Sequence, residues 1–207
     1  EVIGTRDVQI SGRNTIVGVG GGAIMGGAAA SGGSGVGGAV VFASGYAETG
    51  HPERAAEQAR LTAIARETGI KIIGPNCLGL VNIHDRVFAS FGSITRPPFQ
   101  KPGPVSVVTQ SGGFGNSLLM QAGLAGVGFR YIVASGQESD VGAAELIRAF
   151  ADDEKTRVIF AYLEGLADGR AFMDSARHAL LAGKPVVVLK SGNTTEGLRA
   201  AASHSAG

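Results

Sequence analysis

Four short stretches carry the residue types from which a phosphate-handling site could be assembled. The first is Ala202-Ser203-His204-Ser205-Ala206-Gly207, a histidine among small residues. Its uncrowded imidazole is well populated in the unprotonated form near neutral pH, so it can act as a covalent phosphate acceptor. A single histidine of this kind is also commonly a surface residue with no role. The second stretch is Thr109-Gln110-Ser111-Gly112-Gly113-Phe114-Gly115. Glycines let a backbone approach an anion, and the free amides of a helix's first turn point outward with the positive end of the helix dipole. The Ser111 hydroxyl adds a donor; the alternative is a plain N-cap with glycines for close helix packing.

The third stretch, Leu163-Glu164-Gly165, puts a carboxylate after a hydrophobic run. Glu164 either caps the following turn or orients a partner. A carboxylate on one nitrogen of an imidazole would leave the other free to attack phosphorus. The fourth, Gly74-Pro75-Asn76-Cys77-Leu78-Gly79, is a proline-fixed turn holding Asn76 and Cys77 beyond a strand end. Cys77 reads either as a small buried hydrophobe or as a reactive thiol.

The elements that must position these residues alternate regularly. The pattern predicts a strand over 39–43, a turn at Ser44-Gly45, and a helix over 53–66 with Pro52 in its first turn and Gly69 as C-cap. A second strand follows at 70–73. The segment 96–102, with Pro97, Pro98 and Pro102, reads as a linker, because prolines disfavour helix and central strand. Beyond it the reading is strand 105–109, helix 114–125, strand 131–134, helix 141–151, strand 158–163, helix 170–181, strand 186–189 and a helix from about 195. The fold class is therefore α/β, two doubly wound parallel-sheet domains in tandem: a Rossmann-like domain over 1–96 and a flavodoxin-like domain over 102–207. In such sheets ligands gather at the carboxyl ends of the strands, where the four stretches fall. Residues 18–38 are almost wholly Gly, Ala and Ser and can bury little apolar surface. Residues 1–38 are accordingly treated as an incomplete part of the first domain. Gly18, Gly20 and Gly22 could form a phosphate-cradling turn, weak evidence for a nicotinamide dehydrogenase. That reading lacks the acidic residue after a second strand that would hold a ribose.

Composition narrows the classes. Of 207 residues, 44% are hydrophobic, enough for a sizeable core, and the formal net charge is +1 with scattered basic residues, no footprint for nucleic acid. A single cysteine excludes an internal disulfide and suits a reducing, cytoplasmic setting. Ligands at zinc-site spacing are absent, so no metal site is expected in this chain. No apolar run approaches the ~20 residues of a membrane span, and the start lacks a signal-peptide pattern. The sequence reads as a fragment of a longer protein.

These motifs, in this order, resemble the nucleoside-diphosphate-forming acyl-CoA synthetases: the α subunit of succinyl-CoA synthetase and, more closely, the ADP-forming acetyl-CoA synthetases. The similarity runs from about Ala39 to Gly207, and Gly69 to Cys77 looks like the family's CoA-domain signature. The resemblance implies that Ala43, Ser44, Gly45, Asn76 and Cys77 contact CoA. It also implies that Ser111, Gly112 and Gly113 hold the phosphate of a phosphohistidine, that Glu164 braces the active histidine, and that His204 carries phosphate. It further implies ADP-forming ligation of carboxylic acid and CoA through an acyl phosphate, and a partner ATP-grasp domain or β subunit holding ATP/ADP and Mg2+ outside this chain. An oligomer is expected. Residues 1–38 depart from the family's first domain, so that part of a CoA site is unassigned. A synthetase-like sensing module of a protein acetyltransferase is the rival reading. It predicts loss of the histidine or its bracing acid, and both are present.

Overall fold

The computed structural model describes residues 8–9, 15–16, 38–90, 92–96 and 101–192. His204 and the helix expected from about 195 lie outside them. Two short strands, β1 (Val8–Gln9) and β2 (Thr15–Ile16), pair antiparallel. β3 (Gly38–Val40) then leads through a 3-10 turn to α1 (Pro52–Thr68) and β4 (Lys71–Ile73), which is parallel to β3. Pro52 occupies the first helical turn, and Gly69 closes α1 at φ 73 with its N–H on the Ala65 carbonyl. Both are positions where these residues cost least.

The main sheet is built from β5 (Gly79–Asn82), β6 (Val87–Ser90), β7 (Pro102–Thr109), β8 (Phe129–Ala134), β9 (Val158–Leu163) and β10 (Val186–Lys190). Its order is β10-β9-β7-β8-β5-β6. β8, β7, β9 and β10 are mutually parallel neighbours, the second, first, third and fourth strands of a flavodoxin-like winding. The helices between them are α2 (Gly112–Leu124), α3 (Ala143–Asp152) and α4 (Gly169–Leu181). Successive side chains of a strand face opposite ways. Val107 and Ile132 therefore meet Leu119 of α2 on one face, while Val108, Val133 and Ile159 meet Leu146, Ile147 and Phe150 of α3 and Phe172 and Ala179 of α4 on the other. The domain is wound on both faces.

Two features correct the sequence reading. The sheet is mixed: β5 and β6 form a hairpin, and β5 pairs antiparallel to β8 through Gly79↔Ala134 to Asn82↔Tyr131. The residues expected to close a turn at Gly79 instead open a fully buried strand. This hairpin precedes the proline segment yet joins the sheet that follows it, and Val40, Ile73 and Cys77 share a core with Val108 and Val133. Secondly, Pro102 opens the central strand β7 rather than ending a linker. The β7–β8 register shifts between Pro102 and Val105 and again before Val107, so the prolines sit where the ladder is interrupted. Their missing donors are thereby accommodated, and the Pro104 carbonyl still accepts from Arg157 N at 2.8 Å.

A polar cluster fastens the amino end of β8. The buried Arg130 guanidinium donates to Asn82 Oδ1 at 2.6 Å, Asp85 Oδ2 at 3.0 Å, Asp153 Oδ1 at 3.2 Å and the Tyr131 hydroxyl at 2.8 Å. Desolvation pushes the Asp153 pKa up, but the hydrogen bonds from Arg130 and Thr156 outweigh it and hold the carboxyl below its ordinary range. Among the described residues no helix is long and apolar enough to cross a membrane.

Candidate functional site

The strands β7 and β9 lie side by side, while the helices that follow them pack on opposite faces. A crevice opens at such a switch of winding, outside the carboxyl ends of the strands. Ser111 sits there as the N-cap of α2, in extended conformation, and its Oγ accepts from Phe114 N at 3.3 Å. Gly112 and Gly113 are the first two helical residues, whose N–H groups have no intrahelical acceptor. A Cβ at Gly113 would meet nothing within 4 Å, so this position of the turn borders open space. At Gly115 a Cβ would lie 2.4 Å from Thr109 Oγ1, so glycine lets α2 start hard against the end of β7. The N-cap and anion-site readings of Ser111 are thus compatible: the hydroxyl oxygen caps, and the glycine amides stay outward.

Across the crevice, Glu164 is half-buried immediately after β9. Its backbone is fixed from the phosphate-type turn itself. Gln110 Oε1 accepts from Glu164 N at 2.6 Å and Gly165 N at 2.9 Å, and Gln110 Nε2 donates to the Gly165 carbonyl at 3.0 Å. The Glu164 carbonyl also accepts from Lys190 Nζ at 2.9 Å. Phe114 stacks on Tyr162, with ring centroids 4.4 Å apart. Ser111, Gly112, Gly113 and Glu164 are therefore brought to one place. Gln110, which joins them, received no role from the sequence; its only signal was an amide between a strand and a glycine turn.

The other turn adjoins this one. Asn76 N donates to the Ala43 carbonyl at 2.8 Å, placing Asn76 (φ 54) beside Ala43, exposed Ser44 and Gly45 (φ 97). Glu48 accepts from Gly45 N and Tyr46 N, holding that loop closed. Leu78 reaches the second turn: a Cβ at Gly112 would be 2.9 Å from Leu78 Cγ. The loop after β8 locks the two together, since Gln137 N donates to the Pro75 carbonyl at 2.9 Å and Ser139 N to the Gly74 carbonyl at 3.0 Å. Cys77 departs from the expectation of a thiol facing a ligand. Its Sγ is in the core, 3.2 Å from the Val41 carbonyl, and burial pushes its pKa up to about 12. The small-hydrophobe reading holds for this side chain. No cluster of His, Cys, Asp or Glu that could hold a metal occurs among the described residues.

Residues 102–207 match the family described as the succinyl-CoA ligase like flavodoxin domain. The chain belongs to the ADP-forming acyl-CoA ligase family. It is 39% identical over 169 residues to the acetate–CoA ligase [ADP-forming] of Methanocaldococcus jannaschii, covering 82% of this chain and 23% of that protein. It is 38% identical over 164 residues to the α subunit of acetate–CoA ligase [ADP-forming] I of Pyrococcus furiosus, covering 79% of this chain and 34% of that one. Among solved structures it resembles the dinucleotide forming acetyl-coenzyme A synthetase 1 of Ca. Korarchaeum cryptofilum, in complex with phosphate and ADP. That match has a TM-score of 0.70 and 36% identity, over 80% of this chain and 34% of the other. The chain thus spans about a quarter to a third of these ligases.

Proposed function

We propose that this chain is the CoA-binding and phosphohistidine-bearing part of an ADP-forming acyl-CoA ligase. The observation that carries the reading is the pair of adjacent strand ends of β7 and β9, where Gly112 and Gly113 open α2 after one, Glu164 follows the other, and Gln110 ties the two together. The turns holding Ala43, Ser44, Gly45 and Asn76 adjoin it, which suits a coenzyme thioester delivered beside the phosphate site. Cys77 supports that turn from beneath through its buried Sγ rather than touching CoA.

In the reaction, an oxygen of inorganic phosphate attacks the acyl-CoA carbonyl and CoA leaves as the thiol, giving an acyl phosphate. A ring nitrogen of His204 then attacks phosphorus, releasing the carboxylic acid, and Glu164 holds the other ring nitrogen. Ser111, Gly112 and Gly113 neutralise phosphate charge through the amides of a helix N-terminus. The phosphoryl group finally passes to ADP, giving ATP. Nucleotide and Mg2+ belong to an ATP-grasp region elsewhere in the protein or on a partner subunit; the Pyrococcus furiosus relative is named an α subunit. The setting is the cytoplasm, and the assembly is an oligomer.

The test is to incubate the full-length protein with γ-labelled ATP. The expected product is an acid-labile, base-stable phosphoenzyme, as a phosphorus–nitrogen bond requires, and His204→Ala abolishes it. A His204→Ala protein that keeps both label and turnover refutes the assignment.

A further inference from the structure

The strand β7 leaves the sheet at a point where its neighbour β9 is still bonded to it, and one side chain makes up the difference. Their parallel ladder runs as far as Thr109↔Tyr162, after which Gln110 N donates to the Tyr162 carbonyl at 3.1 Å. The next bond of an evenly spaced parallel ladder would run from Glu164 N to the main-chain carbonyl of Gln110. The chain turns away there, because Ser111 is already the N-cap of α2. Gln110 Oε1 takes the carbonyl's place and accepts from Glu164 N at 2.6 Å. The same amide pairs with the following residue through both of its polar atoms. Oε1 accepts from Gly165 N at 2.9 Å, and Nε2 donates to the Gly165 carbonyl at 3.0 Å.

Only one orientation of the amide makes these three bonds; reversed, its NH2 group would face two donors and its oxygen a carbonyl. On the other side, β10 is in register with β9 at Lys190↔Leu163, and Lys190 Nζ donates to the Glu164 carbonyl at 2.9 Å. Both polar groups of the Glu164 backbone are therefore held by side chains from the neighbouring strand ends, one residue beyond β9 itself. The bond to its N–H comes from the residue immediately before Ser111, Gly112 and Gly113. The place of Glu164 is thus set relative to the start of α2.

We propose that Gln110 is a positioning residue for phosphoryl transfer: its side-chain amide extends the β7–β9 ladder by one rung and holds the Glu164 backbone in register with the first turn of α2. The proposal rests on the reading of Glu164 given above. It adds that the register of the strand ends, and not the carboxylate alone, sets the rate.

Gln110→Met keeps the length of the side chain and removes all three bonds. In the full-length enzyme it is compared with Glu164→Ala and with the double variant, reading phosphoenzyme formation from γ-labelled ATP, kcat, KM for CoA and the melting temperature. Gln110→Met should slow phosphoenzyme formation and kcat roughly 100-fold, the scale of an ångström's misplacement. KM for CoA should stay unchanged, because the side-chain bonds of Gln110 run to Glu164 and Gly165 and not to the turns at Ala43 and Asn76. The double variant should be no slower than Glu164→Ala, since Gln110 acts through the residue it holds. Labelling of Gln110→Met at the wild-type rate overturns the proposal. So does a double variant in which the two losses multiply, which a merely structural role would produce, or a raised KM with kcat unchanged. If Glu164→Ala itself labels at the wild-type rate, the reading of Glu164 fails and takes the proposal with it. If Glu164→Ala is slow and Gln110→Met is not, the proposal alone fails.

Discussion

Gly115→Ala should damage the candidate site without touching any group that could contact a ligand. The added methyl would lie 2.4 Å from Thr109 Oγ1 and 2.7 Å from its Cγ2, where ordinary contact begins at 3.4 Å. Thr109 cannot swing aside: it is buried, and its hydroxyl donates to the Ser111 carbonyl at 2.7 Å. The start of α2 must therefore rise from the end of β7 by about 1 Å, the deficit between the two distances. Overpacking of this kind costs ~1–3 kcal/mol, against a helix-propensity gain of ~1 kcal/mol for alanine over glycine. A net loss of about 0–2 kcal/mol lowers the melting temperature by up to roughly 8 °C. Displacing the amides of Gly112 and Gly113 by an ångström should also slow phosphoenzyme formation by roughly 100-fold. Gly113→Ala is the control for stability: open space surrounds its Cβ, so it should keep the melting temperature or raise it. Circular dichroism melts and single-turnover labelling of the full-length protein read both quantities. A Gly115→Ala protein with wild-type melting and labelling would refute the placement of α2 against β7.

Other consequences concern the frame. Arg130→Met leaves the half-buried Asp153 with only its Thr156 hydrogen bonds and should cost about 3 kcal/mol by denaturant titration, with little from the half-exposed Asp85. Because the folded-state pKa of Asp153 is depressed, its contribution is present above the ordinary carboxylate range and is lost as pH falls through the folded value. The acid limb of the stability curve should flatten in Asp153→Asn. Cys77 should resist iodoacetamide in the native protein equally with and without CoA, and react on unfolding; fast native alkylation would contradict its burial. Phe150→Ala, which removes a fully buried ring stacked 5.5 Å from Tyr131, should cost about 3–5 kcal/mol.

The inner strands of the parallel part were legible because they are largely buried on both faces, and Val158–Leu163 reads as a continuous hydrophobic run bounded by turn residues. Val186–Lys190 was legible from its apolar run alone, since this edge strand is largely exposed. The helix limits were legible where local chemistry sets them, as at Pro52 and Gly69. The β5–β6 hairpin was not. Gly79-Leu80-Val81-Asn82 is short and follows a turn motif, and only pairing with β8, far along the chain, makes it a strand. The same limit applied to the site. Ser111, Gly112, Gly113 and Glu164 could be singled out from strand-end position, but Gln110 meets its partners 54 and 55 residues away. Cys77 was ambiguous for a related reason: its spacing says that it follows a strand, and only packing against Val41 says which way its sulfur points.

The central claim, that a phosphoryl group reaches ADP by way of His204, is tested most directly by locating the phosphate. The full-length enzyme is labelled with γ-labelled ATP, digested at alkaline pH, and mapped by mass spectrometry. A second portion is chased with the carboxylic acid and CoA. The account predicts label on the peptide bearing His204, discharged by the chase to acyl-CoA and inorganic phosphate. Label on any other residue, or a His204 phosphate that the chase leaves in place, would contradict it.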